Sequence, residues 1–541
     1  MQSLTRNRFP SPSLLLGMNA KFPSWYPGQE DIFESCIAWL NDNDSRFLCL
    51  SAPTGSGKSI LAVLSAKMSG RRTVILTVTK GLQTQIMDDF GVLGAVDIRG
   101  QNAYSCKMVP TLRCDEGPCH EGFHCAYREK GCTYYDQHKL ALAADIVVTN
   151  YAYLLAQTQY SEGLGEIGML VCDEAHLAFA SLESHLTTQI FRDESESCGV
   201  HFPLDAMETW QEWRMWATQA VPVVNMLVAQ RLAEIKAIRE AGDTPPGSLS
   251  RAYRNAVSLA RRLTFVSTAI GKWVWEKVAS GWKFTPVWPS VYSGMIFQTV
   301  EKVMLMSAVL TEKTADNLGV TEDRTFIDAP SYFPPENTPI IHIPTARIDY
   351  KASGPHYQWW AARIDEIIEG RMDRKGIVFT VSYDRRNTLL KRTRNRSVMH
   401  THTTEDVIKM VQNFKNASPP AVLVSPAVTS GWDFLGEECE YIVIGKIPYP
   451  DTSSPVVKAR TEDDPDWSSF MAMETLVQEA GRGSRASDDS CEVLVIDDNW
   501  AWYWPRYQHF APGWFHQRVR GKRTHVPPAP PKHRSKVVMR K

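Results

Sequence analysis

The chain has 541 residues, of which 43% are hydrophobic and 22% are charged, and its formal net charge at pH 7 is −1. That length exceeds what one hydrophobic core usually organises, so we expect two or more domains. The near-neutral charge excludes a globally basic field as the basis of nucleic-acid binding. No apolar run approaches the ~20 residues that cross a bilayer, which predicts a soluble, intracellular protein without a membrane partner.

Residues 1–24 lack hydrophobic periodicity and are expected to form a flexible lead-in. A Tyr26-Pro27-Gly28-Gln29 segment follows and precedes a predicted helix over residues 31–40. The Gln29 amide is a candidate for reading the edge of an adenine base, and the Tyr26 ring for stacking on it. A simple helix-capping turn accounts for the same residues equally well.

The clearest motif is the segment Ser51-Ala-Pro-Thr-Gly-Ser-Gly-Lys58-Ser59, which we call the phosphate loop. It lies between a strand-like apolar run and a helix-like one, so its backbone N–H groups and a helix N-terminus can surround a phosphate. Lys58 is expected to reach the β- and γ-phosphates of ATP, and the Ser59 hydroxyl to bind Mg²⁺. The loop residues expected to contact the nucleotide are Thr54, Gly55, Ser56, Gly57, Lys58 and Ser59.

An acidic pair follows the predicted buried strand over residues 168–172. Asp173 is a candidate Mg²⁺ ligand through water, and Glu174 is a candidate for orienting and deprotonating the attacking water. His176 is expected to connect this pair to the rest of the site. Polar residues 79–85 follow another predicted strand, at a position suited to phosphate-backbone contacts.

Five of the eleven cysteines lie between residues 106 and 132, with turn-forming glycine and proline residues between them. In a reducing compartment such clustering indicates metal ligation rather than disulfides. Four thiolates can hold zinc or an iron–sulfur cluster, and the absence of paired short Cys-x2-4-Cys knuckles favours iron–sulfur. The five candidates are Cys106, Cys114, Cys119, Cys125 and Cys132. Since four thiolates are needed, one of the five is spare.

Residues from about 180 to 290 are predicted to form a helical insertion. Trp210, Trp213 and Trp216 share one helical face; they either stack on bases or, as is more common for such a stripe, pack in a core. A strand over residues 303–308 then resumes the first sheet, with Ser307 and Ala308 at its end as candidates for sensing the γ-phosphate. The proline-rich stretch over residues 330–344 is typical of a hinge.

A second α/β domain follows the hinge, with short apolar strands but no phosphate loop of its own. It carries a Thr429–Asp433 segment, in which Gly431 and Asp433 are candidate nucleotide contacts. It also carries a Gln478–Arg485 segment, in which Gln478, Arg482 and Arg485 are candidates for completing an ATP site in the cleft between domains. The basic, proline-rich end of the chain is predicted to be disordered, with either nonspecific phosphate affinity or a solubilising role.

Taken in order over residues 25–515, these segments resemble the DinG/XPD group of iron–sulfur helicases in superfamily 2, in its shorter bacterial and phage form. The resemblance implies that residues 77–85 are motif Ia, residues 306–308 motif III, residues 376–383 motif IV, residues 429–433 motif V and residues 478–485 motif VI. It implies a 4Fe–4S cluster held by Cys106, Cys119, Cys125 and Cys132, with Cys114 as the alternative to Cys119. Motif III departs mildly from the family, with Ser-Ala-Val in place of Ser-Ala-Thr, and so does motif V, with Trp432.

The implied fold class is α/β, with two RecA-like parallel-sheet domains and with an iron–sulfur insertion and a helical Arch-like insertion in the first. The expected segments are a flexible lead-in (1–24), domain 1 in three parts (25–105, 133–185 and 291–329), the iron–sulfur insertion (106–132), the Arch-like insertion (186–290), domain 2 (330–515) and a basic tail (516–541).

The implied function is that of an ATP-dependent helicase that moves 5′ to 3′ on single-stranded DNA and separates forked or duplex DNA in repair, recombination or replication. ATP, Mg²⁺ and the cluster are the implied cofactors, and a monomer in the cytoplasm of a bacterium, or of a phage's host, is the implied state. Two alternatives stay open. One is an RNA-directed or non-unwinding translocating ATPase, and the other is a nucleotide-gated DNA-binding protein with slow turnover.

Overall fold

A computed structural model describes residues 8–18, 21–117, 119, 125–160, 163–243, 245–297, 300–331, 334–426, 432, 434–483 and 489–530. Two parallel sheets form the centres of two domains, and a smaller antiparallel sheet belongs to an insertion in the first. No helix in the described ranges is both long enough and apolar enough to span a membrane.

Domain 1 is built on a seven-stranded sheet with the order β10-β1-β9-β5-β2-β4-β3, in which every pairing is parallel. Its central strands are mainly apolar and buried at every position, as expected when helices cover both sides of a parallel sheet. The strands are β1 (Phe47–Ser51), β2 (Thr73–Thr77), β3 (Val96–Asp97), β4 (Ile146–Asn150), β5 (Met169–Cys172), β9 (Lys302–Ser307) and β10 (Arg324–Asp328).

The helices of domain 1 pack on the two faces of this sheet. They are α1 (Pro12–Leu16), α2 (Gln29–Asn41), α3 (Lys58–Ser69), α4 (Lys80–Phe90), α5 (Thr133–Ala143), α6 (Tyr151–Tyr160), α7 (Ala178–Leu186), α11 (Gly294–Phe297) and α12 (Glu312–Asn317). Because β9 lies between β1 and β5, the carboxyl ends of these three strands are neighbours, which brings the phosphate loop, motif III and the acidic pair together.

The insertion contains more than the helices expected from the sequence. Its helices are α8 (Arg192–Ser197), α9 (Trp210–Glu240) and α10 (Gly247–Thr268), and its antiparallel sheet, ordered β6-β8-β7, consists of β6 (Thr188–Phe191), β7 (Trp273–Val278) and β8 (Gly281–Pro286). The insertion is therefore helical, as predicted, and it also contains a small antiparallel sheet that was not predicted. Trp213 is fully buried and its ring centroid lies 4.9 Å from that of Phe284 in β8, so this tryptophan is a core residue.

Domain 2 is a six-stranded parallel sheet with the order β11-β16-β15-β12-β14-β13. The strands are β11 (Ile340–Ala346), β12 (Lys375–Phe379), β13 (Met399–Thr401), β14 (Ala421–Ser425), β15 (Tyr441–Ile444) and β16 (Glu492–Asp497). The helices are α13 (Gly354–Glu369), α14 (Tyr383–Arg392), α15 (Val407–Asn416), α16 (Pro455–Asp463), α17 (Trp467–Ala480), α18 (Trp500–Tyr507) and α19 (Gly513–His516). Since β11 begins at Ile340, the linker between the domains ends there and is shorter than the predicted hinge.

Both terminal segments are more ordered than the sequence suggested. In the lead-in, Leu16 is buried, and the ring of Phe22 stacks on that of Phe90 in α4 at a centroid distance of 5.5 Å. At the other end, the Arg520 N–H donates to the carbonyl of Ile340 at 2.8 Å, and Val526 packs on the core of domain 2. The prediction of a flexible lead-in and a disordered tail was wrong for residues 8–18, 21–24 and 516–530, while residues 531–541 lie outside the described part of the chain.

A buried arginine of domain 2 connects that domain to domain 1 and to the insertion. The guanidinium of Arg460 in α16 donates to the carbonyls of Val287 at 2.6 Å and Pro286 at 3.2 Å, and it pairs with the Glu183 carboxylate of α7. Only 4% of Arg460 is exposed. Next to it, the exposed Lys272 ammonium lies 2.8 Å from Asp463, so the insertion contacts both lobes at once.

Candidate active site

The phosphate loop turns sharply between β1 and α3. Gly55 and Gly57 both have φ near +77°, a left-handed conformation that residues with a Cβ rarely adopt. A Cβ on Gly57 would also lie 2.3 Å from the Gln29 amide nitrogen. The Lys58 ammonium donates to the carbonyls of Ala52 at 3.0 Å and Pro53 at 3.1 Å, inside the loop itself. The loop therefore has the curled shape and the helix N-terminus that phosphate binding requires.

Gln29 contacts the phosphate loop directly. Its amide nitrogen donates to the carbonyls of Ser56 at 3.1 Å and Gly57 at 3.5 Å, and its oxygen accepts from the Tyr26 N–H at 3.1 Å. Tyr26 is 41% exposed and lines the neighbouring cavity. This arrangement connects the segment proposed to bind the base with the phosphate loop. Neither interpretation of Gln29 from the sequence, adenine recognition or a helix-capping turn, included that contact.

The acidic pair follows β5 in a strained turn. Glu174 has φ +48°, in the left-handed region, and its N–H donates to the Asp173 carboxylate at 3.0 Å. Burial and the adjacent Glu174 charge raise the pKa of Asp173 to about 7, and the Lys58 charge opposes that shift. A bound divalent cation would relieve both effects, so the Asp173 carboxyl fits the role of an Mg²⁺ ligand.

His176 lies at the meeting point of three motifs. Its Nδ1 is 2.7 Å from the Ser307 hydroxyl of β9 and 3.4 Å from the Glu174 carboxylate, and its Nε2 is 3.4 Å from the Gln478 amide nitrogen of domain 2. Burial lowers the pKa of His176 to about 4, so the ring is neutral at pH 7. A neutral ring can donate from Nδ1 to Ser307 and accept the Gln478 N–H at Nε2.

Arg482 approaches the same cleft from domain 2. Its guanidinium donates to the Trp432 carbonyl at 2.9 Å, and its side chain lines the cavity that Lys58 and Asp173 also line. The Thr54 hydroxyl of the phosphate loop donates to the Gly481 carbonyl at 3.2 Å, so motif VI contacts the loop directly. Three further predicted contacts lie outside the described residues: Gly431, Asp433 and Arg485.

The cavity between the two domains has a volume of about 730 Å³. It brings together the predicted Gln29, Gly55, Gly57, Lys58, Ser59, Asp173, Glu174, His176, Gln478 and Arg482. Its size falls within the usual range of ~300–1,000 Å³ for small-molecule sites.

Two groups of residues at this cavity were not predicted from the sequence. They are Lys21 and Phe22 of the lead-in, and Glu474 and Glu479 of α17, all of which line it. Burial raises the pKa of each of these two carboxyls to about 8. The Thr314 hydroxyl of domain 1 donates to Glu474 at 2.9 Å, whereas Glu479 Oε2 has no hydrogen-bond donor among the described residues. In the sequence, the position of these carboxylates on the apolar face of α17 was the signal that could have identified Glu474 and Glu479.

The five clustered cysteines lie in one region beside domain 1. Burial, followed by the neighbouring Cys132 and Cys106 thiols, raises the pKa of Cys114 to about 11. The Cys114 thiol donates to the Ser105 carbonyl at 3.3 Å. Burial and then Cys125, Cys106 and Cys132 raise the pKa of Cys119. Within the described ranges, however, no three Cys, His, Asp or Glu side chains are already arranged as metal ligands.

Two family models match the chain. The DEAD/DEAH box helicase model matches residues 26–197, and the helicase C-terminal domain model matches residues 366–518. Together these two helicase domains cover more than half of the chain, and their pairing resembles that of the XPD/DinG group of superfamily 2 helicases. A chain with both domains is an ATP-hydrolysing helicase.

Solved structures share the fold of this helicase. A structure titled XPD helicase is 14% identical with a TM-score of 0.60, and it covers 92% of this chain and 100% of its own. An apo XPD structure is 16% identical, with a TM-score of 0.57 and coverage of 91% and 100%. Xpd4 of S. tokodaii is 15% identical, with a TM-score of 0.55 and coverage of 92% and 100%. No curated protein sequence matches the chain.

Proposed function

We propose that this helicase moves 5′ to 3′ along single-stranded DNA and separates forked or duplex DNA, as a cytoplasmic monomer acting in DNA repair, recombination or replication. The main observation behind this proposal is that Lys58 of domain 1 and Arg482 of domain 2 line the same cavity. Groups from two lobes that contact one triphosphate draw the lobes together, and hydrolysis releases them. Repeated closing and opening moves two nucleic-acid contacts relative to each other.

In the proposed chemistry, Lys58 contacts the β- and γ-phosphates, and Glu174 orients and deprotonates the attacking water. Ser59 and Asp173 would hold Mg²⁺, which neutralises phosphate charge when bound. Arg482 stabilises the charge of the transition state from domain 2, with Arg485 as a second candidate. The strained Glu174 turn and the His176 contacts hold the catalytic carboxylate at a fixed position between the lobes.

The DNA-binding face is proposed to lie at the carboxyl ends of β2 and β12. In domain 1, the Thr79 hydroxyl caps α4 by accepting the Leu82 N–H at 3.2 Å, and the exposed Lys80 follows. In domain 2, Ser382 caps α14 in the same way, with Arg385 and Arg386 in its first turn. Helix N-termini with hydroxyl caps and nearby cations suit contacts to the phosphates of a nucleic-acid strand.

The choice of DNA and the 5′-to-3′ direction rest on the resemblance of the motif series to the DinG/XPD group. The same resemblance supports a 4Fe–4S cluster held by Cys106, Cys119, Cys125 and Cys132, with Cys114 as the alternative to Cys119. The clustered thiols and the Val109 N–H directed at the Cys106 sulfur at 3.4 Å fit soft-metal ligation. A bound cluster would supply rigidity to a wedge at the point where strands part.

A strand-displacement assay tests the proposal. The purified helicase, ATP and Mg²⁺ are mixed with duplexes that carry a single-stranded tail at the 5′ end or at the 3′ end, in DNA and in RNA. We expect displacement only for the DNA duplex with a 5′ tail, and none from Lys58→Ala, because the loop then lacks its phosphate-binding cation.

The alternatives predict different patterns in that assay. Displacement of the RNA duplex instead of the DNA duplex indicates an RNA-directed enzyme. Single-stranded DNA that stimulates ATP hydrolysis without any displacement indicates a translocase. Tight binding of DNA in the presence of ATP, with no stimulation of turnover, indicates a nucleotide-gated DNA-binding protein and contradicts the proposal.

A further inference from the structure

We propose that Trp514 and Arg518 form a bridge that connects motif III of domain 1 to motif VI of domain 2 and thereby positions Arg482 for ATP hydrolysis. We call this pair the Trp514–Arg518 bridge. Neither residue lines the nucleotide cavity, so both are positioning residues. The inference rests on the role proposed above for Arg482 as the cation that domain 2 contributes.

The first half of the bridge contacts motif III. The Trp514 indole N–H donates to the Ala308 carbonyl at 3.0 Å, and Trp514 is only 3% exposed. Ala308 follows Ser307, whose hydroxyl contacts His176 at 2.7 Å and whose carbonyl accepts the Ala52 N–H of the phosphate loop at 3.0 Å. A displacement of motif III at the nucleotide is therefore passed to the Trp514 ring.

The second half of the bridge contacts motif VI. The Arg518 guanidinium donates to the Ala480 carbonyl at 3.3 Å and to the Thr338 carbonyl at 2.7 Å. Ala480 is the last residue of α17, where backbone carbonyls lack partners within the helix. A cation at a helix C-terminus is favourable for the helix dipole as well. Arg518 thus fixes the end of α17, two residues before Arg482.

The two halves contact each other and the linker. The Arg518 guanidinium lies 5.7 Å from the centroid of the Trp514 ring, a cation–π distance. Thr338 belongs to the segment between β10 and β11 that joins the two domains. The bridge therefore contacts motif III, motif VI and the linker between the domains.

Hydrogen bonds hold the backbone on both sides of the bridge, to domain 1 before Trp514 and to the domain 2 sheet at and after Arg518. The Ile340 N–H donates to the Arg518 carbonyl and the Arg520 N–H donates to the Ile340 carbonyl, both at 2.8 Å. On the domain 1 side, the Gly513 N–H donates to the Asp328 carboxylate at 3.1 Å. These bonds order the backbone that carries both side chains, so less conformational entropy is lost when the bridge forms.

Conservative variants test the bridge. Trp514→Phe keeps a ring but removes the indole N–H, and Arg518→Met keeps the aliphatic stem but removes the guanidinium. We expect each variant to lower the nucleic-acid-stimulated kcat for ATP about tenfold, which corresponds to about 1.4 kcal/mol, and to leave the KM for ATP within about twofold. Arg518→Lys, which retains a charge and a donor, should restore part of the rate. The double variant should be no slower than the slower single variant, because both changes break one connection.

Trp360→Phe is the matched control. Its buried indole N–H also donates to a backbone carbonyl, that of Gly445 at 2.8 Å, but it lies within domain 2 and contacts neither motif III nor motif VI. We expect Trp360→Phe to lower the unfolding midpoint as Trp514→Phe does, with a normal kcat well below that midpoint. Equal kcat values for Trp514→Phe, Arg518→Met and the unchanged protein would overturn the bridge, and so would additive losses in the double variant.

Two reference measurements separate failure of the bridge from failure of the proposed function. If the unchanged protein hydrolyses ATP and Arg482→Ala does not, but both bridge variants are normal, only the bridge is wrong. If Arg482→Ala hydrolyses ATP at the unchanged rate, the role of Arg482 itself is wrong, and the bridge then has no catalytic group to position.

Discussion

His176 shows how single side chains connect the two domains. With a neutral ring, a continuous series of hydrogen bonds can pass from the Gln478 amide through His176 and the Ser307 hydroxyl to the Glu174 carboxylate, which lies 3.4 Å from that hydroxyl. A protonated ring could not accept from Gln478, so the low pKa of His176 is what allows the series to form. The position of domain 2 is thereby transmitted to the proposed catalytic carboxylate.

Glu474 provides a test of electrostatics at the interface. Burial raises its pKa from the usual 4.5 to about 8, so the folded protein favours the protonated carboxyl. Unfolding then releases a proton between these two pH values, and this group lowers the free energy of unfolding by about 1.4 kcal/mol for each pH unit of increase. Glu474→Gln remains uncharged and can still accept from Thr314. We expect it to raise the denaturant midpoint at pH 8 and to change it little at pH 5; an equal shift at both values would contradict the assignment.

Among the secondary-structure elements, those defined by a local sequence pattern were predictable from the sequence. The strands of both sheets are short apolar runs that end in polar residues, and the phosphate loop is recognised from its glycines and Lys58. The cavity is lined by Gln29, Asp173 and Gln478, which come from three separate segments. Parallel-sheet topology explains this, because carboxyl ends of strands meet at one edge.

Elements whose order depends on tertiary contacts were not predictable. The lead-in and the C-terminal segment have few periodic apolar residues of their own and are ordered by the surfaces on which they lie. Phe22 stacks on α4, and Arg371 of domain 2 donates to the Pro527 carbonyl at 3.1 Å. The antiparallel sheet of the insertion was not predicted, although Trp273 and Trp275 lie two residues apart in β7, which is a strand period.

The five clustered cysteines can be tested by metal analysis. We expect protein purified without oxygen to contain iron and to absorb visible light. Cys132→Ser should remove both properties and strand displacement but leave some ATP hydrolysis, because the phosphate loop is separate from the thiols. Cys114→Ser is the control, since the resemblance assigns that thiol as the spare one, and it should retain its iron. Metal analysis that finds zinc and no iron would show that the cluster assignment is wrong.

In the molecule as a whole, the two domains contact each other and share the cavity that contains the proposed nucleotide site. Arg460, the Lys313–Asp464 ion pair at 2.6 Å and the Trp514–Arg518 bridge all lie on contacts between the lobes. Arg482 and Lys58 line the cavity from opposite lobes. The proposed function therefore depends on the relation between the domains, which was predicted from the sequence when Arg482 was assigned to an ATP site in the cleft between them.

The rate of ATP hydrolysis by Arg482→Ala tests this shared site most directly. Turnover is measured with saturating single-stranded DNA, and ATP binding is measured separately on the same protein. We predict that Arg482→Ala binds ATP nearly as well as the unchanged protein, because Lys58 and the phosphate loop remain, but loses on the order of 10³-fold in kcat, as expected for an arginine that acts across a cleft. An unchanged kcat in that variant would show that domain 2 contributes no catalytic charge through Arg482, and the account of a site shared between the lobes would be contradicted.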